Sequence, residues 1–249
     1  MSAVERTHAD EPATLEMSEV SIAYGESVVV RGVNLRVAPG EVLAIIGPNG
    51  AGKTTILNGV VGLADVVGGS VLIEGAPLVR PRLERMTKLG VAYVPQGRWL
   101  FPYSDGMMNL WSGGYGRRDR RAVDAETQEF MSSWPIAARV AHRRAAVMSG
   151  GEQQVVAIGR GVIAKPRLLL IDEPSLGLAP ILVKEVVKIL ANITSNLSGD
   201  GAAVVIVEQN VEMALEVASR VCVLVGGQIQ HEGPTGELSP EDISEFYLH

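Results

Sequence analysis

Gly47-Pro48-Asn49-Gly50-Ala51-Gly52-Lys53-Thr54-Thr55 is the stretch on which the fold turns. Ahead of it lies the apolar run Val42–Ile46, entered from the Pro39-Gly40 turn signal, and after it comes a helix-like stretch from Thr54 to Leu63. A buried strand, a glycine-rich loop and a helix that opens on Lys-Thr form the context a phosphate-binding loop requires. The glycines let successive backbone N–H groups turn inward toward phosphate oxygens, and the helix N-terminus adds its partial positive charge. Lys53 is then placed to reach β and γ phosphates, and the Thr54 hydroxyl to ligate Mg2+. An ordinary glycine-rich turn has no need of Lys-Thr at the helix start.

A second site element stands far along the chain. Leu168-Leu169-Leu170-Ile171-Asp172-Glu173 is an apolar strand that ends abruptly in two carboxylates. In open α/β sheets ligands bind beyond the carboxyl ends of parallel strands, so both acids are expected at the ligand edge. Asp172 would orient a metal and its waters, and Glu173 would polarise the attacking water or accept its proton. Acids at strand ends also occur as plain solvated termini, and it is the company of Lys53 that argues for chemistry.

Around these two elements the chain reads as α/β. Short β-like stretches, Val28–Val30, Val33–Val37 and Val71–Glu74, are bounded by Gly25, Gly32, Gly69 and Gly75. The runs 168–171 and 203–207 look like parallel strands buried on both faces. After Ala179 a helix is predicted, with Pro180 at an early position and apolar residues at Leu182, Val186, Ile189, Leu190 and Ile193. Arg220–Val225, Gly226-Gly227 and 228–232 read as a hairpin with a two-residue turn. Between Arg98 and Val147 the pattern is irregular, and an inserted helical subdomain is expected over 98–157. The core would then be 15–97 and 158–249, and residues 1–14, rich in charge, a mobile tail. The basic run Arg117-Arg118-Asp119-Arg120-Arg121 reads as a solvated face.

Composition limits the partners. The 249 residues are 47% hydrophobic, enough for a sizeable core, and the net charge of -6 is opposite to that of a nucleic-acid binder. No apolar run approaches the roughly 18 to 20 residues of a membrane span, and Met1–Glu16 is polar and acidic, so a cytosolic location is expected. Cys222, the one cysteine, sits in an apolar run and reads as a buried inert thiol; His8, His142, His231 and His249 have no ligand spacing, so no protein-built metal site is expected.

Met148-Ser149-Gly150-Gly151-Glu152-Gln153-Gln154 fits a helix capping box, with Ser149 as N-cap and Glu152 three residues on. The same residues resemble the signature sequence of the ABC ATPases, and the resemblance runs from about Leu15 to Gly233 with the family's motif order. It implies a P-loop NTPase core with an N-terminal antiparallel β subdomain and an inserted helical subdomain, an ATPase activity, and the cofactors ATP and Mg2+. It also implies that Ser149, Gly150 and Gly151 of one subunit close over the nucleotide held by another. Tyr24 matches the family's adenine-stacking position, though a core strand aromatic is the alternative. Gln96, in Tyr93-Val94-Pro95-Gln96-Gly97, matches the glutamine that senses metal and water; a polar loop residue is the alternative.

Ser175-Leu176-Gly177-Leu178-Ala179-Pro180 and Val207-Glu208-Gln209-Asn210 sharpen the resemblance to ATPases of branched-chain amino-acid and related amide importers. Both depart from the broader pattern, because Leu178 stands where many relatives have an acid and Gln209 where many have a switch histidine. A glutamine amide can donate to a γ-phosphate but cannot become a cation, which would leave Glu173 as the sole base. Trp99-Leu100-Phe101-Pro102-Tyr103 suits a groove for a membrane subunit, or else the core of the subdomain. The resemblance further implies a second ATPase subunit, identical or related, two transmembrane permeases and, indirectly, a periplasmic solute-binding protein, with this chain on the inner face of the membrane. Urea or short-amide import is the runner-up, on Val94-Pro95-Gln96-Gly97-Arg98. A soluble ABC ATPase of DNA repair or translation and a non-catalytic nucleotide-binding module are the remaining classes.

Overall fold

The computed structural model describes residues 13–247. The chain opens with strands β1 (Leu15–Tyr24) and β2 (Ser27–Val37), passes through β3 (Val42–Ile46) and helix α1 (Lys53–Val61), and returns in β4 (Asp65–Ile73) and β5 (Ala76–Pro77). α2 (Leu83–Met86) leads into β6 (Val91–Val94). A run of helices follows: α3 (Gly106–Trp111), α4 (Arg120–Ser133), α5 (Pro135–Val140) and α6 (Gly150–Ile163). The chain then alternates through β7 (Leu168–Asp172), α7 (Pro180–Gly199), β8 (Ala203–Glu208) and α8 (Val211–Val217), and closes with β9 (Arg220–Val225), β10 (Gln228–Pro234) and α9 (Pro240–Glu245).

Two sheets result. The first is antiparallel, in the order β2-β1-β4-β5; the second runs β10-β9-β3-β8-β7-β6, all parallel except the β9–β10 pair. Because β8 is inserted between β3 and β7, the loops that leave β3 and β7 flank the end of β8. The large sheet is buried on both faces. Leu168 and Leu170 face the antiparallel sheet and α1, whereas Leu169 and Ile171 face α6, α7 and α8, so every position of β7 is apolar until the ligand edge.

Several expectations need correction. Gly32 does not end a strand: β2 runs through it at φ 57°, a bulge in which its N–H donates to Ser21 Oγ at 3.1 Å. Gly69 is likewise inside β4, at φ 74°, where a Cβ would lie 2.3 Å from the carbonyls of Ser18 and Glu19. The expected boundary between 157 and 158 falls inside α6, a continuous helix. Most of the tail expected over 1–14 lies outside the described residues, but Thr14 is buried and its N–H donates to Val37 O at 2.8 Å, which ties it to the sheet. The basic run is not wholly a solvated face: Arg117 is held by Asp119, Glu126 and the Ile163 carbonyl, and Arg120 lies over Trp111 and Tyr115.

Pro180 occupies the first turn of α7, whose buried stripe is Val186, Ile189, Leu190 and Ile193; Leu182 is half-buried. Gly226 and Gly227 take φ of 56° and 81°, the pair of left-handed residues that a tight hairpin turn needs. Cys222 is fully buried on β9, and burial pushes its thiol up to about 12.

Candidate nucleotide site

The phosphate loop leaves β3 at Gly47 and enters α1 at Lys53. Gly50 and Gly52 are left-handed, at φ 79° and 102°, conformations that L side chains rarely adopt. Gly47 is required for a different reason: a Cβ there would lie 2.2 Å from the Leu224 carbonyl of β9. The hairpin also braces the loop from outside, since Gly227 N–H donates to Ala51 O at 3.0 Å. Pro48 O accepts from Ala51 N, and Asn49 and Gly50 form the exposed tip. The first turn of α1, with Thr54 and Thr55, presents the N–H groups that a helix leaves unpaired at its start.

Lys53 is buried and curls back along the loop, donating to Gly47 O at 2.9 Å and Pro48 O at 3.2 Å. It also forms an ion pair with Glu173 Oε1 at 3.3 Å. Thr54 Oγ1 donates to Asp172 Oδ1 at 2.8 Å. Burial raises the Asp172 carboxyl above its ordinary range, while the hydrogen bonds from Thr54 and Tyr93 pull the other way and the neighbouring Glu173 adds to the rise. Glu173 holds a left-handed backbone at φ 44°, anchored by its N–H to Val207 O at 2.9 Å. Gln96 Nε2 donates to Glu173 Oε2 at 3.0 Å. Five expected residues from three separate elements, Lys53, Thr54, Gln96, Asp172 and Glu173, are therefore gathered in one polar cluster.

Tyr24 ends β1 half exposed, not in the core, and its hydroxyl accepts from Asn58 Nδ2 at 2.7 Å. Asn58 and Tyr93 were not singled out by the sequence. The Tyr93 hydroxyl lies 3.2 Å from Asn58 Oδ1 and 3.1 Å from Asp172 Oδ2, so a chain of polar contacts joins Tyr24 to Asp172. Alternation along β6 was the available signal, since it turns Tyr93 to the α1 side of the sheet. Glu208 was also passed over, although it ends an apolar strand as Asp172 does.

Gln209 follows β8 and shares with Glu173, Ser175, Gly177 and Glu208 a cleft of about 380 Å³. A larger cavity of about 620 Å³, bordered by Phe130, Trp134 and Lys165, opens at the starting ends of β7 and β8, away from this chemistry. Ser149 caps α6 in a complete capping box with Glu152. Its side chain is thus engaged with its own helix, and Gly150 and Gly151 begin that helix outside the cluster around Lys53. The Gln96 loop is tied to the same helix: Arg98 Nε donates to Gln154 Oε1 at 3.1 Å, and Arg160 donates to the carbonyls of Arg98 and Trp99. Trp99, Phe101 and Tyr103 are exposed, which removes the reading of them as a subdomain core.

Residues 30–176 match the family model described as ABC transporter. The chain belongs to the ABC transporter ATP-binding family. It is 36% identical to the high-affinity branched-chain amino acid transport ATP-binding protein of Pseudomonas aeruginosa, over 94% of this chain and 99% of that one. It is 33% identical to the lipopolysaccharide export system ATP-binding protein of Escherichia coli, over 95% and 97%. Among solved structures, a dimeric ATP-binding cassette in a post-hydrolysis state with ADP and Pi aligns with a TM-score of 0.74 at 24% identity, over 89% of this chain and 98% of that one, and shows the fold. As an ABC ATPase, the chain binds and hydrolyses ATP. No helix among the described residues is long and apolar enough to cross a membrane.

Proposed function

We propose that this chain is the energy-coupling subunit of an ABC importer, with branched-chain amino acids as its cargo. The observation that carries the hydrolytic part is the convergence of Lys53, Thr54, Gln96, Asp172 and Glu173 beyond the ends of the parallel strands. The donor set suits a triphosphate: a loop braced so that no side chain fits at Gly47, a buried ammonium, and free N–H groups at a helix start. Thr54 and Asp172, already bonded to one another, are the hard oxygen ligands for Mg2+, with Gln96 near them. Bound there, Mg2+ would neutralise charge on the phosphate oxygens.

In this reading Tyr24 stacks on the adenine, and the amides of 47–55 with Lys53 hold the phosphates. Glu173 takes up a proton from water, positioned by Gln96, and Gln209 donates its amide to the γ-phosphate. Ser149, Gly150 and Gly151 serve the nucleotide of a second ATPase subunit, which fits the exposure of Ser149 at the start of α6. The helical segment from residue 98 to the end of α6 then acts as the unit that turns against the core, and the exposed Trp99, Phe101 and Tyr103 receive a permease. The chain would sit on the inner face of the membrane through two permeases, with a periplasmic binding protein delivering the solute.

A Glu173→Gln variant tests the hydrolytic part. It should lose turnover by at least about 10²-fold while still dimerising in ATP, read by steady-state ATPase and size-exclusion chromatography. Turnover at the parental rate would reject Glu173 as base. Uptake of labelled leucine, urea and short amides by the reconstituted transporter tests the cargo, and transport of urea in preference to leucine would replace it.

A further inference from the structure

Glu208 is a buried acid, 1% exposed, which the hydrolytic reading does not use. Its carboxylate is taken up by backbone from two different loops. Oε1 accepts from Ser175 N at 2.8 Å, in the loop that follows Glu173. Oε2 accepts from Gln209 N at 2.9 Å and Asn210 N at 3.0 Å, in the loop that follows β8. Side-chain capture of loop amides is common, but here one carboxylate bridges the two loops that carry the catalytic candidates.

The geometry around Glu173 makes the bridge consequential. Its own N–H is held by Val207 O, one residue before Glu208, and Ser175, two residues after it, is held by the Glu208 side chain. The left-handed backbone of Glu173 is thus pinned on both sides by the last two residues of β8. On the opposite side of the same carboxylate the backbone of Gln209 is fixed. Beyond Ser175 the loop is exposed at Leu176 and Gly177, where it is free to meet another molecule.

We propose that Glu208 is a positioning residue that sets the separation of Glu173 and Gln209 and makes the Ser175–Gly177 loop and the Gln209 loop move as one unit. This rests on the hydrolytic roles proposed above for Glu173 and Gln209. Displacement of the exposed Leu176–Gly177 tip would then be felt at both residues through one side chain, without any contact between the tip and the nucleotide. The phosphate loop lies outside both of these loops, so the effect is expected chiefly in turnover.

The test compares Glu208→Gln and Glu208→Asp with the parent chain. Glutamine keeps size and burial but has one oxygen, so an NH2 group must face either Ser175 N–H or the Gln209 and Asn210 amides. Expected are a kcat lower by about ten- to hundred-fold, a KM for ATP within about two-fold of the parent, and faster amide exchange at one of the two loops. Aspartate keeps both oxygens with a shorter reach; it should give a smaller loss of kcat, again at unchanged KM, and it decides the matter if the glutamine variant does not fold. Parental kcat in both variants, or a loss expressed in KM instead of kcat, overturns the proposal. Glu173→Gln measured alongside separates the two ideas: activity in that variant refutes the reading of Glu173, whereas an inactive Glu173→Gln with fully active Glu208 variants refutes only the bridge.

Discussion

Lys53 Nζ and Glu173 Oε1 are 3.3 Å apart, with 3% and 9% of their side chains exposed. The ammonium that should hold phosphate and the carboxylate that should activate water therefore neutralise one another inside the site. In the proposed reading, phosphate oxygens entering the loop compete with Glu173 for Lys53, which couples nucleotide binding to release of the base. Lys53→Ala should abolish nucleotide binding and also destabilise the fold, since stripping one partner from a buried pair costs about 3–5 kcal/mol. The double change Lys53→Ala with Glu173→Gln should recover much of the melting temperature but none of the binding. A single Lys53→Ala variant that melts with the parent would show that the pair is not buried in solution.

Tyr93 touches Asp172 through its hydroxyl and Trp99 through its ring, whose centroid is 6.3 Å away in an edge-to-face arrangement. Tyr93→Phe keeps the ring and removes the hydroxyl from Asp172 and Asn58. Loss of one hydrogen bond to a charged group is worth about 1.5–3 kcal/mol, so the Mg2+ concentration for half-maximal turnover should rise by roughly ten-fold or more. Mn2+ binding in the presence of ATP, followed by magnetic resonance, should weaken in parallel.

Gln209 can donate an amide hydrogen but cannot carry charge. Gln209→His should sustain turnover, and Gln209→Ala should lower it by about ten-fold or more, the scale of a lost donor at a developing charge. Unchanged ATPase activity in the alanine variant would take Gln209 out of the mechanism.

Phe101 and Tyr103 are 55% and 85% exposed, and among the described residues neither makes a ring contact comparable to that of Trp99 with Tyr93. Phe101→Ala with Tyr103→Ala should leave the melting temperature and the ATPase of the isolated subunit near parental values, because little apolar surface leaves a core. Co-purification with the permeases should fall sharply. Intact assembly would place the permease contact elsewhere.

Cys222 is fully buried, with its thiol pushed up to about 12 chiefly by desolvation, partly offset by Arg220. The folded-state value lies above the unfolded one of about 8.5, so the neutral thiol favours the fold at neutral pH and that contribution is lost as pH rises toward 12. Thiol reagents at pH 8 should modify the folded chain far more slowly than the chain in denaturant, with mass spectrometry as the readout. Rapid labelling of the native protein would contradict the buried placement.

Local order along the chain was enough for much of this molecule. The phosphate loop, the Asp172-Glu173 strand end, the capping box at Ser149, the Pro180 helix and the Gly226-Gly227 hairpin each depend on residues adjacent in sequence, whose spacing and backbone preferences are readable directly. Gly32 and Gly69 were misread because glycine marks both a strand end and a bulge, and the choice is made by the neighbouring strand: Ser21 for one, the carbonyls of Ser18 and Glu19 for the other. Contacts across long separations were out of reach for the same reason. Tyr93 with Asp172, Lys53 with Glu173 and Glu208 with Ser175 are partnered only because β8 is laid between β3 and β7, with β6 beyond, which brings four strand ends to one edge. Residue type and spacing name the groups able to do phosphate chemistry; which of them share a proton, a charge or a loop is a property of that strand order.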